Sequence, residues 1–130
     1  MRRLLCPTAL SVVALAACGG DNGGGGSAPA TTVPSGQAVR VVGRDYSFDP
    51  KAIVITGGGD VRLRLANEGS LAHNLRILKG DRDLGGTATF QSGERPARVK
   101  LAPGEYRMVC TVGNHEDLGM KGSLRVRARN

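Results

Sequence analysis

The sequence predicts an all-β sandwich of seven or eight short strands. Aliphatic and polar residues alternate in twos, most clearly around Leu63 and Val126, where arginines occupy the positions between the aliphatic side chains. This period places alternate side chains on opposite faces of a strand. The 20 glycines, together with Pro, Asn and Asp, interrupt these segments at short intervals and favour turns over long helices. Short strands at this spacing are typical of an antiparallel sandwich.

Each strand is predicted from its own alternation or β-branched run, and each boundary from a turn-forming sequence. The turns fall at Asp49-Pro50, at the glycines that begin at Gly57, at Gly69, at Gly80 and at Pro103-Gly104. The core between the sheets should be aliphatic, because only 3% of the residues are aromatic and Trp is missing. In chain order, the predicted strands cover residues 38–43, 52–56, 61–65, 73–78, 87–90, 98–101, 105–110 and 124–129.

The first 17 residues are predicted to be an export signal. Arg2 and Arg3 precede an apolar run that ends in small residues. The run is shorter than the roughly 20 residues that a membrane-spanning helix needs. It ends in Leu-Ala-Ala-Cys, which resembles the lipobox of bacterial lipoproteins. The resemblance implies cleavage before Cys18 and attachment of lipid to that cysteine.

The chain after the signal divides into a tether and one domain. Residues 18–37 comprise the lipidated cysteine and a segment rich in Gly, Ser, Thr and Pro, which cannot bury enough apolar surface to fold alone. We therefore expect one folded domain over residues 38–130. The lipid would anchor this domain to the outer face of the plasma membrane or in a periplasm.

The charge does not indicate a nucleic-acid-binding protein. The formal net charge is +7, but the Lys and Arg residues are scattered through the alternating strands instead of being clustered. The aromatic side chains that stack on bases in such proteins are scarce. We expect no nucleic-acid partner.

The three cysteines leave one free thiol in the folded domain. Cys6 lies in the signal and Cys18 at the lipobox, so only Cys110 remains and no disulfide can form within the domain. An exported thiol is exposed to oxidation unless it is buried or protected by a metal. The segment CTVGNHEDLGM places His115 and Met120 at intervals of five residues after Cys110.

The alternation predicts a second part of the same site. His73 shares a strand face with the aliphatic Leu75 and Ile77, and Cys110 shares one with Met108. Antiparallel neighbouring strands would bring the start of one and the end of the other to the same end of the sandwich. Thiolate and thioether ligands suit copper, whereas zinc rarely takes Met. His73, Cys110, His115 and Met120 are therefore the predicted metal ligands.

These two motifs resemble the cupredoxins, the group of small blue copper proteins that includes plastocyanin, auracyanin and rusticyanin. The signature is PGEYRMVC-TVGN-H-EDLG-MKGSLRV at the C-terminus, preceded by the Ala-His-Asn that contains His73. The resemblance covers residues 38–130 and implies a Greek-key sandwich with one type 1 copper ion. It also implies a hydrogen bond that ties Asn74 to Thr111. The loop departs from its relatives by having Val112-Gly113-Asn114 where Phe-Pro-Gly often stands. A second loop cysteine, as in binuclear sites, is missing.

The resemblance implies a monomeric carrier of single electrons that is not an enzyme. Its partners would be redox proteins or membrane electron-transfer complexes, and His115 would be the electron port, rimmed by Leu71, Leu118 and Gly119. One alternative is an exported copper carrier or buffer with no electron-transfer role. A second is an enzyme that uses Cys110 and His115 as nucleophile and base, although no orienting acid is evident. A third is a metal-free interaction module, which leaves the joint placement of the four ligands unexplained.

Overall fold

The structure is a computed structural model that describes residues 29–130, and these residues form strands and turns without a helix. The predicted signal, the Cys18 lipid site and the first part of the tether lie outside the described residues. No helix long and apolar enough to cross a membrane occurs within residues 29–130. The strands are β1 (Thr31–Pro34), β2 (Ala38–Arg44), β3 (Ser47–Asp49), β4 (Ala52–Thr56), β5 (Asp60–Asn67), β6 (Arg76–Lys79), β7 (Arg82–Gly86), β8 (Gly93–Lys100), β9 (Gly104–Val109) and β10 (Lys121–Val126).

Two sheets build the predicted sandwich. One has the strand order β1-β4-β10-β9-β6-β7, and the other has the order β3-β2-β5-β8. Strand β5 shows the expected alternation, since Val61, Leu63 and Leu65 are buried while the arginines between them are exposed. The buried aliphatic side chains of both sheets form one cluster between them, which gives the fold its hydrophobic stabilisation.

The pairing is mixed, so the expectation of a purely antiparallel sandwich is wrong. Strand β4 pairs in parallel with β1 and with β10, and β2 pairs in parallel with β5. The remaining pairs are antiparallel. Alternation in a sequence reports which face of a strand is buried but not the direction of its neighbour, so it could not distinguish the two arrangements.

Residues 29–130 form ten strands, whereas seven or eight were predicted. Strand β1 lies within residues 18–37, the predicted tether, and it pairs with β4. Its β-branched side chains suit a strand, and Val33 is buried against the core. The predicted strand 87–90 is wrong except for one bridge at Phe90, which pairs with His73. The strand in that region is β7 instead, antiparallel to β6.

The antiparallel pair β6 and β9 sets the position of the candidate site. Arg76 at the start of β6 lies opposite Val109 at the end of β9. The residues just before β6 and just after β9 are therefore neighbours at one end of the sandwich, as the sequence predicts. His73 lies in a bridge before β6, so it precedes its strand instead of opening it. Both His73 and Cys110 are fully buried.

Candidate metal centre

The loop from Cys110 to Met120 is held closed by its own backbone. The Cys110 amide donates to the Met120 carbonyl at 3.1 Å, and the Met120 amide donates to the His115 carbonyl at 3.0 Å. The His115 amide donates to the Val112 carbonyl at 3.0 Å. These backbone bonds fix the relative positions of Cys110, His115 and Met120 independently of any side-chain contact.

Three donor atoms of the predicted ligands converge at the Cys110 end of the sandwich. The Nδ1 atoms of His73 and His115 are 3.1 Å apart, and Cys110 Sγ lies 3.9 Å from the first and 3.6 Å from the second. A triangle with these sides, 3.1, 3.9 and 3.6 Å, has a point about 2.1 Å from every corner. That distance matches metal–imidazole bonds and is slightly shorter than metal–thiolate bonds. The three atoms could therefore hold one first-row metal ion.

The predicted fourth ligand, Met120, is buried at the end of the same loop. Its side chain is fully buried, and its backbone bonds to both Cys110 and His115. A Cβ at Gly43 on strand β2 would lie 3.2 Å from Met120 Cε, so a glycine there leaves room for the methionine. The structure thus buries a thioether on the same loop as the thiolate.

The donor set fits a type 1 copper ion better than the other common metals. Two imidazoles, one thiolate and a thioether are the ligands of blue-copper electron-transfer sites. Structural zinc sites usually have four ligands, all of them Cys or His and at least two of them Cys, and a thioether is not among them. Magnesium and calcium require oxygen ligands, and none of the four side chains supplies one.

Asn74 joins the two motifs across the site. Its Nδ2 donates to Thr111 Oγ1 at 2.8 Å and to Thr89 Oγ1 at 3.0 Å. Its Oδ1 accepts from the Thr111 amide at 2.9 Å. The link between Asn74 and Thr111 that the resemblance implies is therefore present, and it attaches the residue after Cys110 to the residue after His73.

Sequence reasoning missed Asp45, which contacts His73 on the side away from the triangle. Asp45 Oδ1 lies 2.6 Å from His73 Nε2. Hydrogen bonds from the Ser70 hydroxyl and amide, and then from His73, hold the pKa of the Asp45 carboxyl well below its usual range. Asp45 follows strand β2 in a loop with no periodicity, so no pattern marked it. The only available signal is general: a metal-binding histidine usually donates its second ring N–H to an acceptor.

Tyr46 is a second neighbour that the sequence did not single out. Its ring centroid lies 4.9 Å from that of His115, with the two rings tilted by 59°. It is one of two tyrosines in the chain, and it packs against the main hydrophobic cluster while remaining partly exposed. The contact limits the orientations that the His115 ring can take.

Exposed apolar side chains lie close in the sequence to the two predicted histidine ligands. Within residues 29–130, the exposed large hydrophobic side chains are Leu71 and Leu118, at 40% and 51%. Leu71 lies two positions before His73, and Leu118 lies three after His115. His115 itself is 8% exposed, whereas the other three predicted ligands are fully buried. His115 is thus the predicted ligand with access to solvent.

The architecture is similar to that of several solved auracyanin and rusticyanin structures. Reduced auracyanin from the photosynthetic bacterium Roseiflexus castenholzii is 19% identical and has a TM-score of 0.63, covering 72% of this chain and 98% of its own. Auracyanin B is 23% identical with a TM-score of 0.64, covering 72% and 90%. Rusticyanin from Thiobacillus ferrooxidans is 23% identical with a TM-score of 0.58, covering 74% and 82%. The chain therefore has the cupredoxin fold.

Comparison by sequence gives a family. No curated protein sequence matches the chain. A family model described as PQQ-associated matches residues 15–129, which is most of the chain. The protein therefore belongs to the PQQ-associated family.

Proposed function

We propose that the protein is an exported carrier of single electrons, with one type 1 copper ion held by His73, Cys110, His115 and Met120. The observation that carries this proposal is the convergence of three buried donor atoms around one point at bonding distance. Copper, when bound, would supply the Cu(II)/Cu(I) couple. The side chains and backbone of this chain would bind the copper, hold its ligands in position and contact the redox partners.

Cys110 would bind as a thiolate, losing its proton as the metal enters. His73 and His115 would bind through Nδ1, and Met120 would supply the weak thioether ligand that tunes the potential. The backbone bonds across the loop and the Asn74 link keep the donor atoms together without a metal. A site that is already assembled changes little between oxidation states, which favours fast transfer.

Electrons would enter and leave through His115. His115 is slightly exposed, and Leu118 and Leu71, close to His115 and His73 in the sequence, are exposed apolar side chains that a partner could cover. We place the docking surface for redox partners there. A lipid at Cys18 would keep the carrier near membrane complexes.

The family description supports a quinoprotein as the electron donor. A reduced pyrroloquinoline quinone holds two electrons, so a dehydrogenase that uses it needs an acceptor that takes them one at a time. A mononuclear copper carrier accepts one electron in each encounter. We therefore propose that a PQQ-dependent dehydrogenase reduces this protein.

Burial supports electron transfer over the two main alternatives. His73, Cys110 and Met120 are fully buried, which would slow the ligand exchange that a copper carrier or buffer needs. The same burial leaves Cys110 out of reach of a substrate, although its sulfur lies 3.6 Å from His115 Nδ1. A nucleophilic role for Cys110 would need an opening that the described residues lack.

The proposal is tested by mixing the Cu(II)-loaded protein with a PQQ-dependent dehydrogenase and its substrate. We expect the visible copper band to bleach, with two carriers reduced for each substrate molecule oxidised. If the dehydrogenase does not reduce the protein but small reducing reagents do so rapidly, the proposed donor is refuted and the proposed electron-carrier function is not. Rapid loss of Cu(I) to a chelator, without a reversible voltammetric wave, would favour a copper carrier.

A further inference from the structure

Asp45 occupies the position behind the His73 ring, opposite the candidate metal. Its Oδ1 lies 2.6 Å from His73 Nε2, while His73 Nδ1 faces Cys110 and His115. We propose that Asp45 is a positioning residue for the metal: its carboxylate holds His73 in the tautomer that binds metal through Nδ1, and its charge lowers the reduction potential. This inference deepens the proposed copper function and rests on it.

The carboxylate is itself fixed by the loop before His73. Asp45 Oδ2 accepts hydrogen bonds from the Ser70 hydroxyl at 2.5 Å and from the Ser70 amide at 2.9 Å. The Leu71 amide lies 3.4 Å from Oδ1, which is the oxygen that faces His73. The Asp45 side chain is only 22% exposed, so it is held in place on several sides. Its orientation therefore does not depend on the metal.

Gly69 makes the approach of Asp45 to His73 sterically possible. A Cβ at position 69 would overlap Asp45 Oδ1 and would lie 2.8 Å from His73 Nε2. The backbone at Gly69 is not in the left-handed region, so a larger residue is excluded by crowding and not by its φ angle. A methyl group here would push the carboxylate and the ring apart.

The hydrogen bond determines which ring nitrogen of His73 is free. A neutral imidazole carries one N–H, and an ionised carboxylate can only accept. His73 therefore donates from Nε2 to Asp45 and keeps its lone pair on Nδ1. In the metal-free protein, His115 Nδ1 can donate to that lone pair across 3.1 Å. For a metal to bind, the His115 proton would have to move from Nδ1 to Nε2 and Cys110 would have to lose its thiol proton, whereas His73 would need no rearrangement.

Replacing Asp45 with Asn reverses this preference. The asparagine carbonyl would face the two Ser70 donors, so its NH₂ group would face His73 Nε2. His73 would then have to accept at Nε2 and carry its proton on Nδ1, where the metal binds. Loss of the negative charge also destabilises Cu(II) more than Cu(I), because the attraction scales with the charge of the ion.

The first test uses zinc, a redox-inactive probe, with the metal-free chain. We expect Asp45→Asn to lower Zn(II) affinity about 10- to 100-fold, the usual effect of removing the partner of a metal-bound histidine. Asp117→Asn is the matched control, because Asp117 is an exposed carboxylate on the loop after His115. The control should change the affinity little. Equal effects of the two substitutions would overturn the proposal.

The second test is the reduction potential of the copper-loaded variants. The reduction potential depends on the ratio of Cu(II) affinity to Cu(I) affinity. It should rise by about 59 mV for each tenfold decrease in that ratio. We expect Asp45→Asn to lower the ratio of Cu(II) affinity to Cu(I) affinity about tenfold, and Asp117→Asn to lower it much less. An unchanged potential in Asp45→Asn would refute the electrostatic part of the proposal.

Nitrogen NMR of the wild-type metal-free protein decides the point even if Asp45→Asn does not fold. We expect the proton of His73 on Nε2, in a strong hydrogen bond. A proton on Nδ1 with a bare Nε2 would overturn the assignment.

The copper function and the role of Asp45 can be refuted separately. Wild-type protein that binds zinc but forms no copper–thiolate band would refute the copper function. Unchanged zinc binding by Asp45→Asn would refute only the role of Asp45.

Discussion

Replacing Asn74 with Ala should destabilise the metal-free protein by about 3 kcal/mol. Asn74 is buried and makes three hydrogen bonds: two to Thr111 and one to Thr89. Each contributes a net of about 1 kcal/mol to the free energy of unfolding, and the truncation leaves the Thr111 amide without its side-chain acceptor. Because these bonds join the Cys110 loop to the residue after His73, their loss should loosen the donor set as well.

Urea unfolding of the metal-free protein measures this effect. The midpoint should fall while the dependence of free energy on urea stays the same, which marks a change in stability alone. Asn114→Ala is the matched control, since Asn114 is exposed in the same loop, and it should cost about 0.5 kcal/mol or less. A cost below about 1 kcal/mol for Asn74→Ala would refute the reasoning, because the three bonds would then not be intact in solution.

Three further results are expected. Met120→Leu should raise the reduction potential and keep the blue absorption, measured by voltammetry and visible spectroscopy; a colourless product would mean that Met120 builds the site instead of tuning it. Leu118→Lys should slow electron self-exchange, measured by NMR line broadening, without changing the spectrum, because a charge on the apolar surface repels a second copy; an unchanged rate would place the port elsewhere. Hydrogen bonds from arginines lower the pKa values of Asp60, Asp83 and Glu94, so these carboxylates contribute stability above about pH 4. That stability should be lost as the pH falls through the folded-state pKa values, measured by denaturation across pH 2–6, and a flat profile would contradict it.

The sequence predicted the parts of the site that depend on local spacing. Cys110, His115 and Met120 lie in one loop, so their intervals were visible directly. His73 could be added because it is the only other histidine and shares the face of buried aliphatic residues. The antiparallel pairing of β6 and β9 then brought the two motifs together, as expected.

Contacts made across the fold were not predictable in the same way. Asp45 meets His73 through a separation of 28 residues, and the contact depends on the space that Gly69 leaves. Strand β7 contains Asp83 and two glycines, residue types that are rare in strands. It forms because Asp83 pairs with Arg76 and because its backbone pairs with β6. Tertiary context decided these cases against local propensity.

The measurement that tests the central claim most directly is the visible and electron paramagnetic resonance spectrum of the protein after addition of Cu(II). The account predicts an intense blue or green band with narrow copper hyperfine splitting, both lost in Cys110→Ser, because only a thiolate ligand produces them. A pale sample with ordinary tetragonal copper signals, unchanged by that substitution, would contradict it.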